Sequence, residues 1–503
     1  VQEMTHPSYQ ANSYAEMLRD FLKPVQELPV ALHPVAYLHN FPTESRAILE
    51  HDHYRRYTRA APLYLRGDAI ELRAWLESLI EDGDDGATLT TLDEGELRPS
   101  TSLQDVLIEM LESREEFTLI DSQKVVFEQA IELVKRSHED GRKRVLIVDG
   151  GPGTGKTVLA INILARLIED DLVAQYVSKN AAPRKVYKEK LRGDKLVKEI
   201  DTLFTGAGSF VETGADAFPA LIADEAHRLN EESTFFGRGE NQIMEIINAA
   251  KCSVFFIDES QRIHIDDIGS KEEIRKHAAA AGAEVIEAGL ASQFRCNGSQ
   301  GYIAWLDDLL GIRPTANAAG FDLEDALQLF DDPTSLHETI ARKNEETRLS
   351  RVVAGYCWEG EKDHRDDPTV DDIEIGSYAR SWNLRVSDPW AITEGSIDQV
   401  GCIHTCQGLE FDYVGVIIGE DLIYRDGEIV VDHEARATTD RSLFGIKKMF
   451  DEQPEEAASL ADELIRNTYR TLMSRGMKGC YLYCCDDALQ QYMADRMAAL
   501  ARN

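Results

Sequence analysis

A glycine-rich run between two apolar stretches carries the most recognisable chemistry in this sequence. Residues 145–157 read VLIVDGGPGTGKT, and apolar residues continue beyond them. The pattern G-x-x-x-x-G-K-[ST] is typical of a loop whose backbone N–H groups surround phosphate oxygens at the start of a helix. The sequence therefore predicts a site for ATP or GTP. The predicted loop comprises Gly150, Gly151, Pro152, Gly153, Thr154, Gly155, Lys156, which would reach the β- and γ-phosphates, and Thr157, which would hold Mg²⁺.

Two adjacent acids follow a second apolar run. Residues 221–230 read LIADEAHRLN, so Asp224 and Glu225 come at the end of a predicted strand. We expect Asp224 to bind Mg²⁺ through water or Thr157, and Glu225 to polarise an attacking water, because hydrolysis needs a positioned base. Either acid alone could be a helix N-cap, but the pair downstream of a phosphate loop favours catalysis.

Three further side chains complete a candidate site for hydrolysis. Gln261 ends the apolar run in FFIDESQRI, where it could bond the γ-phosphate or the attacking water, or simply form a polar turn. Arg295 lies in SQFRC, and Arg475 follows Arg470 in NTYRTLMSRGMKG. Arginines directed at a γ-phosphate neutralise charge that develops in the transition state. Taken singly, each arginine is more often a surface ion pair.

Alternating strand-like and helical stretches must position these residues. A doubly wound parallel sheet is predicted from strands at 145–148, 175–177, 220–223, 254–257 and 284–287. A second α/β region is predicted from strands at 352–356, 399–404, 413–418 and 479–484. Upstream, an amphipathic helix at 8–22, a strand at 35–38 and an acidic linker or exposed loop at 68–98 are expected.

The charge balance constrains the partners. The 503 residues contain 54 Lys and Arg against 90 Asp and Glu, for a net charge of −36, which repels nucleic acid on average. This counts against a general DNA-coating protein but leaves room for a local basic channel at 179–198. A solvated helix face is the alternative interpretation of that stretch. The candidate nucleic-acid contacts are Lys179, Asn180, Arg184, Lys185, His404 and Tyr187, the last as a stacking platform.

Neither a membrane anchor nor a metal site is expected from the remaining composition. Uninterrupted apolar runs are far too short to span a bilayer, and no signal segment opens the chain, so a soluble cytoplasmic protein is predicted. The eight cysteines form no C-x-x-C pair. Buried, reduced thiols are therefore favoured over a metal cluster.

The motifs resemble a known family when they are taken in order. GGPGTGKT, ADEAH, DESQ, FR, HTCQGLEFD and TLMSRG resemble motifs I to VI of superfamily 1 helicases. YVSKNAAPRKVY, SQFRCNGSQGYIAWLD, GCIHTCQGLEFDYVGVIIG and NTYRTLMSRGMKGCY are similar to blocks of the Schlafen group 3-like DNA/RNA helicase domain family. The resemblance covers residues 100–490 approximately.

This resemblance implies two RecA-like domains, at 101–290 and 291–503, with ATP and Mg²⁺ between them. It places Gln123 at the adenine and Glu410 at the ribose, with Arg295 and Arg475 facing the nucleotide across the cleft. The implied activity is an ATP-dependent translocase or helicase on single-stranded DNA or RNA, in defence or nucleic-acid repair. Only a short segment separates SKNAAPRKVY from the DEAH motif, which leaves no room for a strand-separating insertion. Translocation is therefore expected rather than processive unwinding.

Two other interpretations remain open. The short segment and the negative charge would also suit an ATP-operated switch that clamps nucleic acid or protein without directional movement. An unrelated phosphate-loop enzyme, such as a small-molecule kinase or a GTPase, is the third candidate. A GTPase would need an N-K-x-D element, which Lys179-Asn180 does not supply.

The first 100 residues resemble part of a different fold. Residues 5–21 and 32–41 are similar to the last helix and strand of a PD-(D/E)XK nuclease, with Gln10 and Tyr14 matching its Q-x-x-x-Y element. The metal-binding acids of that fold should lie upstream of Val1, so either the chain is truncated or its N-terminal domain has degenerated, and nuclease activity is predicted to be absent. A nuclease domain or subunit upstream is a possible partner. An ordinary amphipathic helix is the alternative.

Overall fold

The structure describes eleven parts of the chain. The computed structural model describes residues 5–80, 83–93, 119, 121–190, 202–231, 239–290, 300–315, 326–347, 349–360, 367–384 and 389–500. Within these ranges, none of the helices combines the length and apolar character that crossing a lipid bilayer requires.

The N-terminal region contains short helices around a two-stranded parallel sheet. Its strands are β1 (Ala36–Leu38) and β2 (Leu63–Leu65). Gln10 Nε2 donates to Tyr14 Oη over 3.2 Å on the first helix, so these two residues share one helix face. The nuclease-like origin of this region stays a prediction. The helices are α1 (Pro7–Phe21), α2 (Lys23–Glu27), α3 (Arg46–Leu49), α4 (Arg55–Ala60), α5 (Ala69–Leu79) and α6 (Ala87–Asp93).

A six-stranded parallel sheet forms the centre of what we call the first lobe. The strands are β3 (Arg144–Gly150), β4 (Ala174–Val177), β5 (Phe204–Thr205), β6 (Phe218–Ala223), β7 (Ala250–Ile257) and β8 (Glu284–Leu290), in the spatial order β5-β4-β6-β7-β3-β8. Val145 and Ile147 pack into one buried cluster, whereas Leu146 and Val148 pack into another. Both faces of the sheet are thus covered, which is why its strands are apolar throughout.

Helices on the two faces of this sheet complete the first lobe. They are α7 (Asp121–Asp140), α8 (Lys156–Glu169), α9 (Ala181–Lys190), α10 (Gln242–Ala249) and α11 (Lys271–Ala280). Asn241 and Ser270 cap the last two through side chains that accept from Met244 N–H and Glu273 N–H. This arrangement confirms the predicted doubly wound α/β fold.

A five-stranded parallel sheet forms the centre of the second lobe. Its strands are β9 (Leu327–Leu329), β10 (Ser350–Ala354), β13 (Val400–Gly401), β14 (Phe411–Ile418) and β17 (Gly476–Cys484), in the order β13-β10-β14-β17-β9. Two antiparallel hairpins are added by β11 (Ile373–Ile375) with β12 (Tyr378–Arg380), and β15 (Leu422–Arg425) with β16 (Glu428–Val431). The helices are α12 (Gln300–Leu309), α13 (Pro333–Thr347), α14 (Ile403–Cys406), α15 (Ile446–Glu452), α16 (Pro454–Met473) and α17 (Asp487–Leu500).

Two predictions about local structure were wrong. The strand expected at 399–404 stops after two residues, because Cys402 and Thr405 form a capping box that starts α14. The linker expected at 68–98 contains α5 and α6 over its described residues, although neither helix has a buried side chain.

The domain boundaries at residues 100 and 290 stay predictions. Seven cysteines lie in the described ranges; five of them are buried, whereas Cys357 and Cys485 are half-buried.

Short 3-10 turns connect these elements and include two that belong to the candidate site. They span Thr43–Ser45, Asp52–Tyr54, Ala207–Phe210, Ala226–Arg228, Glu259–Gln261, Trp390–Ile392, Ser396–Asp398 and His433–Ala435. Ala226–Arg228 follows β6, and Glu259–Gln261 follows β7. Because neighbouring parallel strands end at the same sheet edge, both turns lie beside the loop that follows β3.

Candidate functional site

The glycine-rich loop joins the end of β3 to the start of α8. Gly155 has a φ of 79°, in the left-handed region, immediately before the helix begins at Lys156. A Cβ at Gly155 would also lie 2.4 Å from Nε2 of Gln123. The left-handed conformation favours glycine here, and any larger residue would also displace the end of the Gln123 side chain. The first turn of α8 leaves its backbone N–H groups directed toward the loop.

Lys156 and Gln123 both donate hydrogen bonds to carbonyl oxygens of this loop. The Lys156 ammonium is buried, donates to the carbonyl oxygens of Gly150 (2.5 Å) and Gly151 (2.8 Å), and lies 3.5 Å from the Asp258 carboxylate. Gln123, from α7, donates to the carbonyl oxygen of Thr154 over 3.0 Å. Both side chains predicted to contact a nucleotide are thus gathered at the loop.

Asp224 lies under the start of α8 at the end of β6. Its Oδ2 accepts hydrogen bonds from Thr157 Oγ1 (2.8 Å) and Tyr176 Oη (2.7 Å). Burial, together with the charge of Glu225, raises the pKa of Asp224. Tyr176 was missed by the sequence analysis, since a tyrosine within an apolar strand is ordinarily a core residue.

Glu225 has a backbone conformation that is rare for a residue with a side chain. Its φ is 52°, a conformation that costs on the order of 1–3 kcal/mol and is concentrated at functional sites. Oε2 of Glu225 lies 3.1 Å from Nε2 of the buried His227. Burial raises the pKa of Glu225, but His227, Arg475 and Lys156 together outweigh it and lower that pKa below its ordinary value. The carboxylate is therefore ionised at neutral pH. His227 was not assigned a role, although the H of D-E-A-H is a signal for it.

Gln261 connects the two lobes. Its Nε2 donates to Asp258 Oδ2 over 2.5 Å, and its Oε1 accepts from Arg475 Nη2 over 2.7 Å. Gln261 and Asp258 belong to the first lobe, whereas Arg475 follows α16 of the second. Glu410, half-buried, directly precedes Phe411, whose N–H donates to the Arg475 carbonyl oxygen. Arg295 lies outside the described residues.

The residues around the loop fit a nucleoside triphosphate with a divalent cation. The Gln123 amide lies directly against Gly155 of the loop. Oε2 of Glu225 is buried, and the described residues offer it no hydrogen bond of acceptable geometry. The Thr157 hydroxyl and the buried Asp224 carboxylate, 2.8 Å apart, supply the oxygen donors that Mg²⁺ prefers. The chemistry of the donor set thus agrees with the predicted ligands.

Several residues predicted to contact nucleic acid have partners inside the protein. Lys179 donates to Asn230 Oδ1 (2.6 Å) and lies 3.2 Å from Asp267, and burial lowers the pKa of Lys179 to about 8. Asn180 donates across the lobes to the carbonyl oxygen of Gln407. Tyr187 is almost completely buried against other aromatic rings, so the structure does not present it as a stacking platform. A tyrosine in a helix facing a sheet is held there by its apolar ring.

Two other candidates line a shared groove between the lobes. Lys185 is exposed on α9, and His404 lies across from it on α14. The groove has a volume of about 180 Å³ and includes Trp390 and Leu409. Arg184 is half-buried and donates to the Asn180 carbonyl oxygen over 3.2 Å. The structure thus brings Lys185 and His404 together and turns Lys179 and Tyr187 inward.

Acid should destabilise the protein partly through His404. Burial lowers the pKa of His404 from an ordinary 6.5 to about 3, and the charge of Arg228 acts in the same direction. At a pH between these two pKa values, His404 is protonated in the unfolded chain and neutral in the folded protein. The free energy of unfolding therefore falls as the pH drops from 6.5 toward 3. Urea unfolding of wild type and His404→Gln at pH 7 and pH 5 measures this. The variant should lose less stability between the two pH values; an equal loss would contradict the assignment.

Comparison with known proteins finds one protein that is similar in sequence and several solved structures that are similar in fold. The chain is 24% identical over 297 residues to the uncharacterized protein YPL245W of Saccharomyces cerevisiae, a match that covers 54% of this chain and 63% of the yeast protein. The chain thus spans less than two thirds of that relative. Among solved structures, Pif1 helicase from Candida albicans is similar at 15% identity and a TM-score of 0.23, covering 45% of this chain and 55% of that one. Dbp5 of S. cerevisiae, bound to RNA and ADP BeF3, is similar at 9% identity and a TM-score of 0.35, covering 80% and 92%.

One family model matches most of the chain. The match extends over residues 143–486 and is to the Schlafen group 3, DNA/RNA helicase domain. It includes the glycine-rich loop, the two acids that follow β6, the Glu259–Gln261 turn and Arg475. On this match over more than half of its length, the chain belongs to the Schlafen group 3 DNA/RNA helicase domain family.

Proposed function

We propose that this protein hydrolyses ATP between its two lobes and uses the hydrolysis to move along single-stranded DNA or RNA. The observation that carries the proposal is the hydrogen bond from Arg475 of the second lobe to Gln261 of the first, over 2.7 Å. It places a guanidinium from one lobe beside the phosphate loop and the acids of the other. A site assembled from both lobes is sensitive to how closely they approach, which links chemistry to movement.

Each side chain has a role in this proposal. Lys156 and the backbone N–H groups at the start of α8 would bind the phosphates. Thr157 and Asp224 would hold Mg²⁺, which would neutralise phosphate charge. Glu225, kept ionised by its cationic neighbours, would orient and accept a proton from the attacking water. Arg475 would stabilise the charge that develops on the transferred phosphoryl group.

The remaining nucleotide contacts are proposed from the family pattern. Gln123 is adjacent to the loop through Thr154, which supports a place for it at the adenine base. Glu410 directly precedes β14 beside Arg475, which supports a contact with the ribose. Arg295 is proposed as a second arginine at the phosphates.

Single-stranded nucleic acid is proposed to cross the groove between α9 and α14. The groove contains an exposed cation, Lys185, together with the imidazole of His404 and the ring of Trp390. Asn180 and Gln407 join the lobes next to it. A strand held by both lobes would be displaced when they separate, whereas a net charge of −36 would repel it elsewhere.

The test compares ATP turnover alone, with single-stranded DNA and with single-stranded RNA. At least one polynucleotide should raise turnover several-fold, and the same polynucleotide should support displacement of streptavidin from a biotinylated end. A flat response to all polynucleotides would refute the motor. Stimulated turnover without displacement would instead favour an ATP-operated clamp.

Lys156→Ala should separate ATP binding from nucleic-acid binding. Loss of a buried ammonium that contacts charged phosphates is worth about 1.5–3 kcal/mol, so ATP affinity should fall roughly 10- to 100-fold. Binding of a fluorescent oligonucleotide at low salt should be unchanged. Lys276→Ala is the matched control, because Lys276 is exposed and pairs with Glu273. Equal ATP affinity in both variants would remove Lys156 from the site.

A further inference from the structure

We propose that Arg470 is a positioning residue for Gln261, and that it acts through Ser260 and Asp258 rather than by contacting phosphate. The inference rests on the proposed ATP hydrolysis, since Gln261 matters there as a partner of the reacting phosphate. It concerns a set of contacts that crosses from α16 to the Glu259–Gln261 turn.

The charge of Arg470 is paired inside the second lobe, with a carboxylate that Arg470 shares with Arg313. Arg470 is buried on α16, and its Nε donates to Asp307 of α12, which is also buried. A guanidinium paired with a buried carboxylate contributes less net charge to a phosphate than a guanidinium that lacks such a partner. The remaining arm, Nη1, donates over 2.9 Å to Oγ of Ser260 in the first lobe. Arg470 is therefore aimed at the turn.

This contact and the Asp258 carboxylate together fix both hydrogen bonds of the Ser260 hydroxyl. A hydroxyl has one proton to donate and two lone pairs that accept. Because Arg470 can only donate, the Ser260 oxygen accepts from it, and the hydroxyl proton is left for Asp258 Oδ1, 2.5 Å away. The Ser260 N–H donates to the same oxygen over 3.2 Å. Asp258 is thereby fixed by two bonds on one side.

The fixed carboxylate in turn orients the Gln261 amide. A glutamine amide can rotate by half a turn, exchanging its donor NH2 and its acceptor oxygen. An ionised carboxylate only accepts, so Asp258 Oδ2 selects the NH2 group, at 2.5 Å. The amide oxygen must then face Arg475, as observed. Consecutive hydrogen bonds thus connect Arg470 to Arg475 through Ser260, Asp258 and Gln261.

One segment of the second lobe thus binds three successive residues of the first. Arg470 binds Ser260, Arg475 binds Gln261, and Asn467 Nδ2 donates to the Arg262 carbonyl oxygen over 3.0 Å. Separation of the lobes would break all three contacts together. The Glu259–Gln261 turn would then lose Arg470 at the same moment as Gln261 loses Arg475, so hydrolysis would be confined to the closed arrangement.

Ser260→Ala tests the chain without disturbing the core, because Ser260 is exposed. Loss of one oriented hydrogen bond should lower kcat for ATP about tenfold and leave KM within about twofold. Ser260→Thr keeps the hydroxyl and should restore kcat. Arg470→Lys keeps a charge for Asp307 and should lose kcat to a similar degree. The double variant Ser260→Ala, Arg470→Lys should be no slower than the slower single variant, because both changes break one chain.

Backbone hydrogen exchange over residues 255–263 provides a readout that does not need turnover. Both single variants should exchange faster there than wild type. Unchanged kcat and exchange in Ser260→Ala would overturn the inference, as would losses that multiply in the double variant, which would mark Arg470 as an independent phosphate contact. If wild type itself fails to hydrolyse ATP, the proposed function fails, and the exchange data alone decide whether Arg470 holds the turn.

Discussion

Replacing Arg475 by alanine should lower kcat for ATP hydrolysis about 10³-fold or more, within the range typical of arginines supplied to a phosphoryl-transfer site. The guanidinium is buried and reaches from the second lobe to Gln261 of the first, beside the loop that begins at Gly150. Its contribution is expected in the transition state, where charge spreads over the phosphoryl oxygens. Affinity for an ATP analogue should therefore change far less than kcat. Single-turnover hydrolysis and equilibrium binding measure the two separately.

The control for this variant removes the same charge elsewhere in the second lobe. Arg425 is exposed at the end of β15, so Arg425→Ala should keep wild-type kcat. Arg475 also donates to the carbonyl oxygens of Leu409 and Thr471, so thermal melting must establish that the alanine variant is folded. A folded Arg475→Ala variant with near wild-type kcat would refute a shared site between the lobes.

Glu225→Gln should lower kcat about 10²- to 10⁴-fold, the usual contribution of a positioned general base. The change removes the ability to accept a proton but keeps the size of the side chain. Because His227, Arg475 and Lys156 keep Glu225 ionised, the wild-type carboxylate is available as a base at neutral pH. ATP should still bind, so the variant should accumulate a complex with unhydrolysed ATP. Filter binding of labelled ATP followed by product analysis detects that complex.

Glu272→Gln is the matched control, because Glu272 is exposed on α11. Its kcat should equal that of wild type. If Glu225→Gln turned over ATP at the wild-type rate, the base would have to be another group, and the strained backbone of Glu225 would need a different explanation.

Apolar runs in the sequence predicted the strands of both sheets well. The stretch before Gly150 and the stretch before Asp224 are apolar on both alternating faces, which is the pattern of a parallel strand covered by helices. The short strands at 204–205 and 327–329 and both hairpins of the second lobe were not predicted. Each of these strands is two to four residues long, which leaves too few positions for a recognisable alternation of apolar and polar side chains.

The sequence also did not predict that Lys179 and Tyr187 have their partners inside the protein. A basic stretch suggested an exposed nucleic-acid surface, but Lys179 is engaged by Asp267, which lies far along the chain. Tyr187 is covered by Tyr176 and Phe204 from two separate strands. Charge and aromaticity are local properties, whereas burial depends on which distant segments fold against a side chain.

The sequence by itself determined the glycine-rich loop, the two adjacent acids and the apolar strands that precede them. These features depend on spacing within short segments, where φ preferences and the alternation of apolar side chains act directly. Only the tertiary structure decided that Arg470 and Arg475 have different partners. The two lie five residues apart at the end of one helix, and no local rule separates a guanidinium that is paired with Asp307 from one that meets Gln261 across the cleft. That distinction arises because hydrogen bonds and charge pairing form between surfaces that only the folded lobes bring together.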